Sequence, residues 1–323
     1  MIDWIANTFD ALQLGLYESV VQPLVFALGF GNLLEDAFGA TGWLLLGLLQ
    51  VVAIVGLIGV LERRWPVEPV MDHRTIRLDV IYTLIHRLGL VRLLMFFSIE
   101  PLWDAAAGAL RLAGLPTWHI DGLWPGVTDI AWVSFVLYLL VFDLIGYWLH
   151  RAQHQFNWWW ALHSLHHSQR QMTMWSDNRN HLLDDVLIAT AFALLARVIG
   201  VEPGQFVAIT VITQLLQSLQ HANARVAFGV WGERLLVSPR FHRLHHGIGI
   251  GHESGGRGTL GGHNFGVLLP VWDMLFRTAD FSRRFDATGV RDQLPAEGGH
   301  DYGHGFWHQQ WLGLTRLFRS IQT

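Results

Sequence analysis

Residues 39–61 read GATGWLLLGLLQVVAIVGLIGVL, an unbroken stretch without one charged side chain. At about 1.5 Å of rise per residue a helix of this length crosses a hydrocarbon core about 30 Å thick. Inside a bilayer every backbone N–H and C=O must be satisfied within the protein, so a lone run of this kind can only be a helix. The composition agrees, with 51% hydrophobic and 15% charged residues, 16 Trp and 19 Phe, where a water-soluble domain carries about 25% charged. The expected fold class is therefore all-α, an integral membrane helical bundle.

Residues 130–149 (IAWVSFVLYLLVFDLIGYWL) are a second predicted span. Residues 78–101 are apolar overall but hold Asp79, His86, Arg87 and Arg92, so a crossing there requires these groups to face protein. Residues 14–31 contain Glu18, Gln22 and Pro23 and read as an interfacial or broken helix, whereas 103–129 read as a loop or a partly re-entrant segment. Two shorter apolar stretches, 182–200 and 205–220, flank VEPG and predict a helical hairpin. About four transmembrane helices result. Arg63, Arg64, Arg74 and Arg77 in one connection, and Arg151, Arg170, Arg179, Arg225, Arg234, Arg240 and Arg243 in the motif-bearing segments, put the far ends of these helices in the cytoplasm. In a bacterium that membrane would be the inner one. The acidic start MIDWIANTFD lacks the basic leader of a cleaved signal, leaving insertion to the helices themselves.

The predicted cytoplasmic ends carry the chemistry. HRAQH places His150 and His154 at i, i+4, while HSLHH and HRLHH place His163, His166, His167 and His242, His245, His246 at i, i+3, i+4. On helices these positions share a face. Eight imidazoles exceed what one ion uses, since zinc takes about four ligands and octahedral iron or manganese about six, so two metals are the natural count. Of the 18 histidines, 12 lie between 150 and 263, too concentrated for scattered surface residues. His221, at the end of the predicted hairpin, is a ninth candidate ligand, and His181 at its start is a possible additional one or a support for the others. Asp143, two turns before His150, either accepts the second ring N–H of a ligating histidine, or serves as a local cap or pairs with Arg87 or Arg92.

The chain has no Cys, which excludes disulfides, iron–sulfur clusters and thiolate ligands and leaves nitrogen and oxygen to hold the metals. Iron is favoured over zinc because a structural zinc needs only a closed set of four. A net charge of -4 without any basic block argues against nucleic acid. All 22 basic residues are arginine. The WWW run at 158–160 suits either an aromatic belt or a packed core. No repeat or linker divides the chain, which reads as one structural domain with three regions: membrane helices and loops (1–129), a histidine-box catalytic region (130–280), and a cytoplasmic or interfacial tail (281–323). Aromatic and basic residues at 305–319 suit a helix lying on the bilayer surface or an ordinary packed amphipathic helix. The Gly-rich stretch after His246 can flex over a site.

With HRAQH, HSLHHS, NRNH at 178–181, QHAN at 220–223, HRLHHG and NFGVLLPVWDMLFRT at 264–278, residues 130–280 resemble the fatty acid hydroxylase and sterol desaturase superfamily. The resemblance implies a membrane, non-haem di-iron enzyme that uses O2 and an external electron donor (cytochrome b5-like, a ferredoxin or a reductase) to hydroxylate or desaturate a lipid. It also implies metal ligation by His150, His154, His163, His166, His167, His221, His242, His245 and His246. Arg277 departs from the family's WDxLFGT pattern, and the spacer before Asn264 is longer than the family's; both are expected near the substrate mouth. Two further readings are an acyl-lipid desaturase or alkane hydroxylase, with similar boxes, and a non-enzymatic membrane metal-binding or transport protein. The NFG and WDxLF elements favour the first family, and spans poor in polar residues speak against transport.

Overall fold

The computed structural model describes residues 2–248 and 262–322. The Gly-rich spacer with His252 lies outside the described residues. Among the described residues the chain is helical, with one isolated bridge between Gly247 and Thr288 and no strand.

α1 (Ile2–Leu16) runs through a π-helical stretch, Tyr17–Val21, into Gln22–Ala27. Pro23 has no N–H to give and crowds the carbonyl four residues back, which opens the register there. The expected broken helix has this cause. α2 (Gly31–Arg64) contains the charge-free run. α3 (His73–Arg87) starts at Asp72, whose carboxylate accepts the backbone N–H groups of Arg74 and Thr75. It meets α4 (Leu90–Ser98) at a 49° bend, where Gly89 takes a φ of 81°. α5 (Glu100–Leu112) places a helix at the start of the stretch from 103 onward, expected as a loop or a partly re-entrant segment. Pro101 sits in its first turn, where its missing N–H costs nothing. Trp103 is buried and donates to Thr190 at 3.1 Å.

α6 (Ala131–Gln155) is the second span and leads directly into α7 (Asn157–His167). α8 (Leu182–Ile199) and α9 (Pro203–Gln220) form the expected hairpin, turned by Gly200 at φ 66°. Then come α10 (Gly229–Leu235), α11 (Pro239–His245), α12 (Val271–Leu275) and α13 (Phe306–Gln322). Among the described residues two helices, α2 and α6, are long and apolar enough to cross a membrane, and α3 with α4 make a third if the bent pair is one span.

Tyr138 and Phe142 of α6 pack with Ile199 and Ile209, binding the second span to the hairpin. Ile54 and Ile58 of α2 close on Met174, Ala222 and Ala224. α2 and α3 approach so closely that a Cβ at Gly47 would overlap the carbonyl oxygen of Arg87. The charges inside the predicted crossing at 78–101 are turned inward, as required: Asp79 takes Arg179 at 2.5 Å and Arg87 takes Asp177 at 2.8 Å. Arg92 instead stands over the Trp43 ring. These pairs tie α3 to the turn at 173–179 and fix the start of the hairpin.

Candidate metal centre

Four short stretches bring the histidines together. The last turns of α6 present His150 and His154, α7 presents His163, His166 and His167, the end of α9 presents His221, and α11 with its C-terminal residue presents His242, His245 and His246. α11 is only seven residues long and is held at its start by Ser238, which accepts the N–H of Phe241 at 3.1 Å, with Pro239 in the first turn.

The side chains sort into two groups of four whose donor atoms lie within 4.8 Å of one another: His150, His154, His167 and His245, then His166, His221, His242 and His246. The groups adjoin, with the rings of His167 and His246 stacked at 4.1 Å. His163 stands between them, its ring 5.0 Å from that of His167 and 5.2 Å from that of His166. All nine histidines singled out by spacing and resemblance meet at this place. His181 does not. One of its ring nitrogens caps α8 by accepting the N–H of Leu183, and the other donates to the carbonyl of Gln310, so neither is open to a metal.

Neighbouring backbone fixes which nitrogen faces inward. The Nδ1 of His150, His221 and His245 lie 2.9, 2.8 and 2.7 Å from the carbonyls of Phe265, Gln217 and His263. A carbonyl only accepts, so Nδ1 carries the proton and Nε2 keeps its lone pair. In the second group the Nε2 atoms of His166, His221, His242 and His246 follow one another at 3.1 Å. Metal–nitrogen bonds of about 2.0–2.1 Å put neighbouring ligand nitrogens about 3 Å apart. In the first group Nε2 of His167 and of His245 is buried without a partner among the described residues, as is Nε2 of His163. Buried polar atoms left open in this way mark a missing partner, and each group of four could hold a metal ion. Burial also pushes His166, His167, His242, His245 and His246 well below the usual histidine pKa, with neighbouring imidazoles adding to the shift. Neutral imidazole is the form that ligates.

The surrounding shell is where sequence reasoning fell short. Asp184, fully buried at the start of α8, accepts from Gln153 at 2.8 Å, Trp159 at 2.6 Å and His163 at 3.1 Å. Its one visible signal was an acidic pair at the mouth of an apolar helix. Asp143 neither supports a histidine nor pairs with an arginine, and the backbone it caps belongs to a distant segment rather than a local one. Its carboxylate takes the backbone N–H of Leu268 and Leu269 and the indole N–H of Trp272, touching no histidine and no arginine. Arg87 is already paired with Asp177, and the turn of α6 at Asp143 and Gly146 is met by residues 267–272. That segment passes so close that a Cβ on Gly146 would sit 3.0 Å from Val267.

The NFG and WDxLF elements form one buried turn. Asp273 accepts the N–H of Phe265 and Gly266 and the hydroxyl of Thr278, and Asn264 bridges the backbone of Phe241 and Asp280. The turn exists to aim the Phe265 carbonyl at His150 and its ring at His154 and His245. Arg277 is exposed at φ 58° and does not line the cavity, so its departure from the family's Gly bears on backbone conformation rather than on a substrate mouth. Of NRNH, Arg179 pins α3; of QHAN, Gln220 donates to Val267 and Asn223 holds the backbone of Val67 and Glu68. The WWW run divides: Trp158 is partly exposed, Trp159 serves Asp184, and Trp160 packs on His154 and His167.

A cavity of about 1680 Å3 opens from the histidines and runs between the helices. His150, His163, His166, His221 and His242 line one end, and Leu139, Phe142, Phe192 and Phe206 line the walls beyond. Two all-nitrogen groups able to hold a metal ion, at the end of an apolar cavity, would suit chemistry on an unactivated carbon.

Residues 135–278 match the family model described as fatty acid hydroxylase. Among curated proteins the chain is 25% identical over 250 residues to the ornithine lipid hydroxylase OlsE of Rhizobium tropici, covering 77% of this chain and 70% of that one. It is 26% identical over 128 residues to a Delta(7)-sterol 5(6)-desaturase of Gibberella zeae, covering 38% of this chain and 39% of that one. It is 24% identical over 163 residues to the alkylglycerol monooxygenase of Caenorhabditis elegans, covering 50% and 30%. The chain thus spans well under half the length of the latter two. No solved structure matches. The histidine spacing, the NFG and WDxLF turn and the match across 135–278 together make that region of the chain similar to the fatty acid hydroxylase family.

Proposed function

We infer that this chain is a membrane-bound di-iron oxygenase that hydroxylates, or desaturates, a C–H bond of a lipid. The observation that carries the reading is the pair of four-histidine groups at the end of an apolar cavity. Relatives named as lipid hydroxylase, sterol desaturase and alkylglycerol monooxygenase support it. His150, His154, His167 and His245 would hold one iron and His166, His221, His242 and His246 the other, with His163 between them, next to both groups. Bound iron supplies the redox chemistry that activates O2. The residues of the chain do the rest. Phe142, Phe192 and Phe206 seat an acyl or ring portion of the substrate and keep the reacting carbon dry. The Phe265, Gln217 and His263 carbonyls hold the imidazoles in one tautomer.

Hydroxylation consumes one O2, two electrons and two protons and gives an alcohol and water; desaturation consumes the same and gives an alkene and two waters. The electrons come from an external donor, a cytochrome b5-like protein, a ferredoxin or a reductase, since the chain has no Cys for an iron–sulfur cluster. On the proposed count of about four membrane passes, the arginine distribution supports a cytoplasmic side for the histidines, in a bacterium at the inner membrane. In this reading 1–129 form the membrane entrance, 130–280 the catalytic region and 281–323 a surface tail. The test is lipid extraction from cells with and without the gene, grown under 18O2. A lipid heavier by one labelled oxygen, or lighter by two hydrogens, is expected. Unchanged lipids in cells that contain iron-loaded protein and a working donor would overturn the reading.

A further inference from the structure

The C-terminal helix α13 is amphipathic in the inverted sense. Toward the protein it turns Gln309 and Gln310, only 3% and 7% exposed, together with Arg316. Outward it turns Trp307, Trp311, Phe318 and Ile321, which are 76%, 63%, 63% and 65% exposed. At 100° per residue these four fall within an arc of about 80°.

The inner face is specified by hydrogen bonds. The Gln310 amide donates to Tyr82 and to the carbonyl of Asn180 while its oxygen accepts the N–H of Leu182. Arg316 donates to the carbonyl of Ala161 and lies over the Tyr302 ring. The helix therefore sits the right way round, and its apolar stripe faces outward by construction.

A bilayer surface is the occupant the surroundings favour. Leu317, on the inner edge, packs with Ala161 and Leu162 of α7 and Leu187 of α8. α7 follows the second span after one residue, and α8 begins the apolar hairpin beside it. α13 thus lies at the level where a membrane-crossing helix ends. Leu183 and Trp158, partly exposed on those two helices, carry apolar surface at the same level. Two Trp with exposed His308 and Arg319 along one edge match the side chains that populate the boundary between headgroups and acyl chains.

We propose that α13 lies in the membrane interface on the side of the histidine groups, with Trp307, Trp311, Phe318 and Ile321 set among the lipid acyl chains. Because α13 grips α7, the bilayer surface then holds the helix that carries His163, His166 and His167. The proposal stands apart from the enzymatic reading and is tested without turnover.

The chain has no Cys, so one introduced Cys is a unique label site. Trp311→Cys, Phe318→Cys and, as an exposed control away from the stripe, Glu297→Cys are labelled with an environment-sensitive fluorophore. Each full-length protein is placed in phosphatidylcholine–phosphatidylglycerol nanodiscs, which leave both faces open to buffer, and is carried forward after eluting as a single folded species. Lipids with a spin label high on the acyl chain should lower emission at 311 and 318 by about twofold or more, as for a buried apolar face. Aqueous iodide should quench 297 and spare the other two. Iodide quenching at 311 and 318 equal to that at 297 would overturn the proposal. Shielding of both positions from iodide and from spin-labelled lipid would overturn it too, since a second copy or another protein then covers the stripe.

Discussion

His163 shows how much of the site depends on Asp184, a carboxylate outside both four-histidine groups. Its Nδ1 rests on Asp184, which also takes Gln153 and Trp159, so one carboxylate orients the imidazole between the two groups. Asp184→Asn should lower iron affinity by about 10- to 100-fold while leaving the helices folded, the usual cost of removing a group that orients a metal-bound imidazole. Iron titration of the purified variant measures this; affinity equal to the parent's would show that Asp184 serves only packing. Arg277 gives a second case. At φ 58° a side chain costs about 1–2 kcal/mol, whereas Gly gives back about 0.4–1 kcal/mol of that through chain entropy. Arg277→Gly should therefore raise the melting temperature slightly and leave turnover unchanged. A lower melting temperature would contradict the backbone explanation. The histidines were legible because i, i+3 and i+4 spacing converts directly into a shared helix face. Asp184 was not, because an acid that serves three partners leaves no periodic trace.

At the scale of elements, the sequence marked the spans and the hairpin through hydropathy, Gly200 and Pro203. It misplaced α5, because Pro101 reads equally as the end of one helix and the start of the next. It also misread Asp143, whose partners come from a segment 125 and more residues later. No local pattern announces such a contact. Asp143→Ala leaves two backbone N–H groups and one indole N–H without an acceptor, at a cost of about 2–4 kcal/mol. The turn that presents the Phe265 carbonyl should loosen with it. Lower thermal stability and weakened iron retention are expected together; a variant as stable as the parent would remove Asp143 from this role. Gly47 tests the neighbouring contact. Gly47→Leu drives a side chain into the Arg87 carbonyl and should separate α2 from α3, with loss of folded protein on extraction. Normal yield and melting would mean that the two helices have room to part.

Across the whole molecule, the helices and their buried ion pairs serve to hold uncharged imidazoles in a dry place. His166, His167, His242, His245 and His246 stay neutral when folded, while in the unfolded chain they take up protons below about pH 6.5. Above that pH neither state binds the proton and stability is level. Below it the unfolded state gains protons that the folded state refuses, so stability falls by up to about 1.4 kcal/mol per histidine per pH unit. Metal-free protein should melt at steadily lower temperature as the pH is lowered from about 7 to about 5. A flat profile would mean that these side chains reach solvent. The central claim is that the two four-histidine groups each hold one metal, and it is tested most directly by counting iron per chain in protein purified without oxygen. The parent should contain two irons, and His242→Ala, with one ligand of the second group removed, should lose iron from that group. A parent with one iron or none, or a His242→Ala protein that keeps both irons as tightly as the parent, would contradict it.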